Sequence, residues 1–191
     1  LDIDSLVKAC VDMGESKTGA LIVLQQTSDL SLMAEGGIAV DAKVSSSLLE
    51  NLFFKNSPLH DGAMIIQDGR ITAAQCILPV SHNLNISKKL GLRHRSAIGI
   101  TENYDAIAIV VSEETGGISV AFGGKIERNI TSLVQHHLSL AHPPLMYRSH
   151  YSIFQVCRHC IEQSRTTQRL LLIHTITRCD TTISIPLYNR I

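Results

Sequence analysis

The segment from residue 63 to residue 78 decides the fold. It begins with the apolar run Ala63-Met-Ile-Ile66, continues through Asp68-Gly69 and ends with the apolar stretch from Ile71 to Leu78. Because Asp-Gly between two such runs is a strong signal for a tight hairpin, we expect two antiparallel strands joined at this turn. The first run is continuously apolar, so its strand is expected to be buried.

Further strands and helices are predicted on either side of this hairpin. Apolar residues at helical spacing predict helices at 2–13, with Gly14 as a stop, at 44–54 with caps at 45–47, from 93 to 100 and at 129–140. Apolar runs predict strands at 19–24, 106–111 and 118–122, the last two paired across Gly116-Gly117. Helices interspersed with hairpin-linked strands indicate an α/β fold, with a central mixed β-sheet flanked by helices on both faces.

Composition excludes several classes of protein. The chain has 191 residues, of which 45% are hydrophobic, so disorder is not expected. It has 17 Lys and Arg against 17 Asp and Glu, no Trp, and eight Phe and Tyr, which argues against a nucleic-acid partner. The sequence contains no run of about 18 apolar residues, so no membrane-spanning helix is predicted. The chain has five cysteines, an odd number, and they form no disulfide pattern across the sequence, which favours a reducing compartment. Cys10 and Cys76 are expected to be reduced thiols in the core.

The charge balance divides the chain into two parts. Residues 142–191 contain six Arg, no Lys and two acids, whereas residues 1–141 contain 11 basic and 15 acidic residues. We therefore predict a domain at 1–141 and an unassigned basic C-terminal extension at 142–191, either accessory or artefactual. A zinc site is a third alternative, although a single CxxC is a weak signal; its candidate ligands are Cys157, Cys160, His174 and Cys179.

The first motif that could carry chemistry is Pro58-Leu-His-Asp-Gly-Ala63, immediately before the buried strand. A carboxylate at the mouth of a rigid strand can reach a metal or a ligand hydroxyl, and the adjacent glycine permits close backbone approach. His60 adds an imidazole. The plain alternative is that Asp61-Gly62 only forms a turn.

Two further motifs stand at the ends of predicted elements. Arg93-His94-Arg95 at a helix start is suited to phosphate, since free amides and guanidinium groups converge there. Ser112-Glu-Glu-Thr-Gly116, at the end of an apolar strand, offers carboxylates for a divalent cation and hydroxyls for phosphate. The alternatives are a solvated basic turn and a polar hairpin loop. Together the three motifs suit metal-assisted phosphoryl or nucleotidyl transfer, without a Walker loop or a GxGxxG motif.

With these motifs in family order, the chain resembles the diadenylate cyclase domain, which makes cyclic di-AMP from two ATP. The matching pieces include Thr18-Gly-Ala-Leu-Ile-Val23, Ser57 to Ala63, Gly91-Leu-Arg-His-Arg95 and Ser112 to Gly116, together with Ala73-Ala74 and Leu78-Pro-Val-Ser81. The resemblance covers roughly residues 1–140 and implies the family fold and a catalytic domain at 1–141.

The resemblance implies a role for each matched residue. Asp61 would activate the 3′-hydroxyl, with Arg93, His94 and Arg95 as the other catalytic, phosphate-holding residues. The implied metal ligands are His60, Asp61 and Glu114, for Mn²⁺ or Mg²⁺, with Co²⁺ as a further candidate. The implied nucleotide-binding residues are Gly62, Ala63, Leu78, Leu92, Arg93, Ser112, Glu113 and Thr115. Two positions depart from the commonest pattern, Leu92 in place of Thr and Ile77 in place of an aromatic residue.

The resemblance also implies partners and a location. Each chain would hold one ATP, and a face-to-face homodimer would bring each 3′-hydroxyl to the opposite α-phosphate. The domain is expected to be cytoplasmic and to bind no nucleic acid. In one branch of the family, a segment that would precede Leu1 anchors the protein in a membrane. Two alternatives stay open: a catalytically silent nucleotide-binding regulatory module, and an inactive fragment whose tail blocks the dimer face.

Overall fold

A computed structural model of the chain describes residues 1–83, 87, 90–128 and 130. In chain order, the elements are α1 (Ile3–Glu15), β1 (Ala20–Gln25), α2 (Ser31–Glu35), β2 (Ile38–Lys43), α3 (Ser46–Leu52), β3 (Ala63–Gln67), β4 (Arg70–Cys76), α4 (Leu92–Asn103), β5 (Ala106–Val111), β6 (Ile118–Phe122) and β7 (Lys125–Glu127).

The strands form one mixed sheet in the order β2-β4-β3-β1-β5-β6-β7. β1 and β3 are parallel, with Ile22 opposite Met64, and the other neighbouring pairs are antiparallel. The predicted hairpin is present between β3 and β4. Asp68 and Gly69 both have positive φ, 48° and 76°, which is the geometry of a type I′ turn.

Helices cover both faces of the sheet, as predicted. On one face, α1 and α3 pack on the sheet through residues such as Leu6, Cys10 and Leu49. On the other, α4 and the partly buried residues of α2 pack against the opposite side of the same strands, with Ala97 and Ile100 in the core. A fully buried Leu or Ile side chain contributes about 1.5–3 kcal/mol, so these two layers hold the sheet between them.

The structure corrects several predicted boundaries. The helix predicted over 44–54 is α3, which is shorter because Ser45 is its N-cap: Ser45 is extended and its Oγ accepts from Leu48 N at 3.4 Å. α1 begins after its own cap, Asp2, whose carboxylate accepts from Ser5 N at 3.1 Å, and it runs one residue past Gly14. α4 begins one residue earlier than predicted, at Leu92.

Three elements, α2, β2 and β7, were not predicted; the sequence shows only a short apolar piece at the start of β2. α2 has five residues, none of them buried, and no side-chain cap, so it leaves no periodic pattern in the sequence. β7 has three residues.

Some predictions lie outside the described residues. These are the helix at 129–140, the extension at 142–191 and the candidate zinc ligands of that extension. Within the described part, Cys10 and Cys76 are both buried in the core, as predicted.

None of the helices described is long and apolar enough to cross a bilayer.

Candidate active site

One edge of the sheet collects the ends of five strands. The start of β1 lies opposite the end of β5, with Ala20 paired to Val111, and the start of β6 is paired to the same residue through Ile118. The start of β3 is paired to the end of β4, with Ala63 opposite Cys76. Because β1 and β3 are parallel, their preceding segments emerge at this same edge.

A cleft of about 590 Å³ opens at this edge. It brings together residues of all three sequence motifs, which lie far apart along the chain. The predicted site residues that line it are Asp61, Gly62, Leu78, Leu92, Arg93, His94, Ser112, Glu113, Glu114 and Thr115. The three plain alternatives, a separate turn, a basic turn and a hairpin loop, do not account for this convergence.

The start of α4 supplies the basic side of the cleft. The first amides of a helix lack intrahelical acceptors, and the N-cap of α4, Gly91, has no side chain to supply one. Leu92, Arg93 and His94 line the cleft at this first turn. Free amides and the positive end of the helix dipole at such a position favour an anion.

The loop between β5 and β6 supplies the acidic side, and its own hydroxyls hold it in shape. Ser112 Oγ accepts from Thr115 N at 3.3 Å, and Thr115 Oγ1 accepts from Gly117 N at 3.1 Å. The loop is closed by backbone hydrogen bonds from Gly116 N to Ser112 O and from Ser112 N to Gly117 O. Glu113 and Glu114 are exposed in this loop.

Asp61 and Gly62 lie at the entry to β3, against an irregularity in β4. Gly62 has a φ of 93°, and a Cβ there would be 2.9 Å from Cys76 O. Opposite it, Gln75 has a φ of 58°, and the β3–β4 register shifts between Ala63 and Ile65. Bulges and left-handed residues of this kind are common beside functional sites. The glycine therefore allows the backbone that carries Asp61 to lie against β4.

Three predicted site residues do not line the cleft. Ala63 is buried in β3. Arg95 is exposed, and its Nη2 donates to Ser81 O at 3.4 Å, on the loop that follows β4. His60 is half-buried, with Nδ1 2.7 Å from Ser57 O. Since the carbonyl accepts, Nδ1 carries the proton, which leaves Nε2 of the neutral ring as the nitrogen able to bind a metal.

Arg128 lines the cleft and was not predicted from the sequence. Burial lowers the pKa of His94, and the positive charge of Arg128 lowers it further, while Glu114 acts in the opposite direction. The neutral imidazole is therefore favoured, and the positive charge at this side comes from Arg93 and Arg128. Arg128 follows β7, a strand too short to be recognised, so no sequence signal placed it here.

The cleft contains carboxylates of the kind that bind divalent metals. Among the described residues, no three His, Cys, Asp or Glu side chains form a group able to hold a metal ion. Asp61 and Glu114 both line the cleft, whereas His60 does not. Mg²⁺ is commonly held by one or two carboxylates together with substrate phosphates and water. The cleft thus offers two carboxylates, which are the type of protein ligand that such an ion uses.

Apolar residues form another side of the cleft. Leu78 is 7% exposed, whereas Ile77 and Leu92 are 82% and 69% exposed at the rim. These two are the positions that depart from the commonest pattern. An apolar surface at the mouth of a cleft suits a nucleobase or a second protein surface.

Comparison with known proteins gives one consistent result. The family model described as DisA bacterial checkpoint controller nucleotide-binding matches residues 7–126. The chain is similar to the cyclic di-AMP synthase CdaA of Bacillus subtilis, 47% identical over 129 residues, covering 68% of this chain and 47% of the relative. It is also similar to a diadenylate cyclase of Listeria monocytogenes, 45% identical over 138 residues, covering 72% and 50%. The chain thus spans about half the length of these curated relatives.

Solved structures agree with the fold. The crystal structure of a double mutant of DacA from Staphylococcus aureus is 48% identical, with a TM-score of 0.68, covering 73% of this chain and 93% of that one. The structure of a hypothetical membrane spanning protein from Bacillus cereus is 37% identical, with a TM-score of 0.63, covering 65% and 61%.

Proposed function

The chain belongs to the family described as DisA bacterial checkpoint controller nucleotide-binding, and on this premise we propose that it is a diadenylate cyclase. In the proposed reaction, two ATP are condensed into cyclic di-AMP and two pyrophosphates. The observation that carries the proposal is the single cleft lined by Asp61, Arg93 and Glu114, which come from three separate motifs. The names of the similar enzymes from B. subtilis and L. monocytogenes support the same activity.

Each residue has a role in the proposed reaction. Asp61 accepts the proton of the ribose 3′-hydroxyl, whose oxygen attacks the α-phosphorus of the other nucleotide while the bond to the β-phosphate breaks. Arg93 and the first amides of α4 bind the phosphates, with Ser112 and Thr115 beside them. A divalent metal would be held by Asp61 and Glu114, which line the cleft, whereas His60 does not. It would neutralise phosphate charge and make the hydroxyl more acidic. Leu78 and Gly62 contact the adenosine.

Two copies of the chain are needed in this scheme. One cleft holds one ATP, and neither new bond can form until the two nucleotides face each other, so we propose a face-to-face homodimer with two-fold symmetry. The exposed apolar rim residues Ile77 and Leu92 support a surface that becomes covered. We further propose that the domain lies in the cytoplasm and is held at a membrane, a proposal supported by the similar B. cereus structure, which is described as that of a membrane spanning protein.

Turnover of ATP tests the proposal. The chain incubated with ATP and Mn²⁺ or Mg²⁺ should form cyclic di-AMP, detected by chromatography and mass spectrometry. Asp61→Asn should lower turnover by about 10²–10⁴-fold while ATP still binds. The matched control is Asp41→Asn, which removes an exposed carboxylate at the edge strand β2, where it is paired with Arg70 at 2.8 Å. ATP binding without any product from the unaltered chain would favour the silent regulatory module instead.

A further inference from the structure

Arg93 is held by an acidic residue within the cleft itself. Its Nη1 donates to Glu113 Oε2 at 2.9 Å, joining the first turn of α4 to the β5–β6 loop. The Arg93 side chain is 22% exposed and that of Glu113 is 57% exposed. An exposed ion pair contributes little to folding, so its effect on stability does not explain why a carboxylate stands in a site proposed to receive phosphate.

A glycine on a third element makes room for this pair. Gly19 immediately precedes β1, and a Cβ on it would lie 2.9 Å from both Arg93 Nη1 and Glu113 Oε2. Its φ is not in the left-handed region, so the requirement at this position is for space. Any side chain at residue 19 would force the two charged groups to move. The ion pair is therefore enclosed on one side by the backbone at the start of β1.

The remaining donors of Arg93 are not all in use. Nε is buried and has no hydrogen-bond partner among the described residues. A buried donor without an acceptor is costly, so an unpaired group in a native structure calls for an explanation. Because the guanidinium is planar, fixing Nη1 on Glu113 also fixes the direction of Nε and Nη2. Nε itself is closed to solvent, so the donors left for an acceptor in the cleft are those at the Nη end of the guanidinium, and a phosphate oxygen suits them.

We propose that Glu113 and Gly19 form a positioning pair for Arg93: Glu113 anchors one guanidinium nitrogen, Gly19 leaves room for that anchor, and the remaining donors are aimed at the phosphates of the bound nucleotide. This inference rests on the proposed function for the identity of the nucleotide. Positioning matters because a displacement of about 1 Å at a reacting group can cost about 10²-fold in rate.

Three variants test the pair. Glu113→Ala removes the anchor, Glu113→Gln keeps an oxygen that accepts from Nη1, and Gly19→Ala places a methyl against both atoms. The first readout is the affinity for inorganic triphosphate, measured by calorimetry, and the second is KM for ATP separately from kcat. We expect Glu113→Ala and Gly19→Ala each to weaken triphosphate binding about tenfold, and Glu113→Gln to retain most of the affinity.

The control is Asp41→Asn, which loosens the exposed Arg70–Asp41 pair on β2 and should leave triphosphate binding unchanged. Because Glu113 is exposed, its variants should fold even if Gly19→Ala does not. Unchanged or tighter triphosphate binding by Glu113→Ala would overturn the proposal, since the carboxylate would then act only as a repelling charge. Equal losses in Glu113→Ala and Glu113→Gln would also overturn it, by indicating a role for the charge itself.

The triphosphate measurement separates this inference from the proposed function. If the unaltered chain makes no cyclic di-AMP but binds triphosphate in a manner that depends on Glu113 and Gly19, the function fails and the positioning pair stands. If cyclic di-AMP is made at equal rates by all three variants, with equal KM, the positioning pair fails and the function stands. A chain that does not bind triphosphate at all would remove the basis of the inference.

Discussion

The backbone of Gly14, in the last turn of α1, lies directly against the backbone of Gly116 in the loop between β5 and β6. A Cβ on Gly14 would be 2.7 Å from Gly116 O, and a Cβ on Gly116 would meet Gly14 O even more closely. Gly116 also has a φ of 72°. The loop that carries Glu113 and Glu114 is therefore held against α1 by contact between two residues without side chains.

Gly116→Ala should destabilise the protein and displace this loop. The left-handed backbone and the clash with Gly14 together should lower the free energy of unfolding by about 2–4 kcal/mol. Gly14→Ala should cost less, because its φ is not positive and alanine favours the helix. Urea denaturation measures both. The control is Gly91→Ala, where a Cβ has no neighbour within 4 Å; a loss in Gly91→Ala as large as that in Gly116→Ala would contradict the explanation.

Ile77→Tyr should bind nucleotide more tightly. Ile77 lines the cleft and is 82% exposed, so a ring can be accommodated at the rim and can stack on a nucleobase. We expect the Kd for ATP to fall about five- to tenfold, as stacking on an aromatic side chain typically provides. Titration calorimetry measures the change.

Leu32→Tyr is the matched control for Ile77→Tyr, since Leu32 is 76% exposed on α2 and does not line the cleft. An equal gain from both substitutions would show that the ring acts through nonspecific adsorption rather than at the cleft. If Ile77→Tyr does not increase the affinity for ATP, the nucleobase does not bind beside residue 77.

The thiol of Cys76 should react slowly although it lies at the cleft. Burial raises its pKa from 9.0 to about 11, so at pH 8 only about one thiol in a thousand is ionised. Alkylation by iodoacetamide, followed by mass spectrometry of the peptide, should be far slower in the native protein than in urea. Equal rates in both conditions would contradict the assigned environment.

The free energy of unfolding also depends on the ionisation of the Cys76 thiol at high pH. The folded state favours the neutral form, so the contribution to stability is complete below pH 9 and is lost as pH rises through about 11. A Cys76→Ser variant, whose hydroxyl does not ionise in this range, should lose less stability between pH 8 and pH 11 than the unaltered chain. Thermal unfolding at the two pH values makes the comparison.

A chain ending at Ala141 should keep the proposed cyclase activity to within about twofold, because the residues that line the described cleft end at Arg128 and the family match ends at 126. A chain ending at Gly124, which lacks β7 and Arg128, should lose most activity. Product formation from ATP measures both. A large loss on removing 142–191 would identify the extension as an accessory segment, and a gain would favour a tail that blocks the dimer face.

Local chemistry made much of the fold predictable. The Asp68-Gly69 turn follows from two residues that accept positive φ, and β5 follows from a continuous apolar run that is buried along its whole length. The edge strand β2 is different: only its apolar start is recognisable, since its residues are half-buried or exposed and its pairing with β4 is interrupted between Ala39 and Ala42. Such a strand is defined by its neighbour more than by its sequence.

The site could be predicted only in part for a related reason. Asp61, Arg93 and Glu114 belong to contiguous motifs, so the sequence points to them directly. Gly19 and Arg128 acquire their importance from contacts between distant elements. Gly19 belongs to the motif from Thr18 to Val23, yet nothing in the sequence indicates that its missing side chain makes room for an ion pair of two other elements.

The burial of β1 and β5 determines how much of the domain must unfold before the cleft loses its structure. All six residues of β5 and the first five of β1 are buried, and β1 begins where β5 ends, at the cleft. Amide hydrogens in such central strands exchange with solvent only when the whole domain opens. The ends of these strands therefore remain in register through the smaller fluctuations that release edge strands such as β2, and the framework of the cleft should be among the last parts of the molecule to take up deuterium.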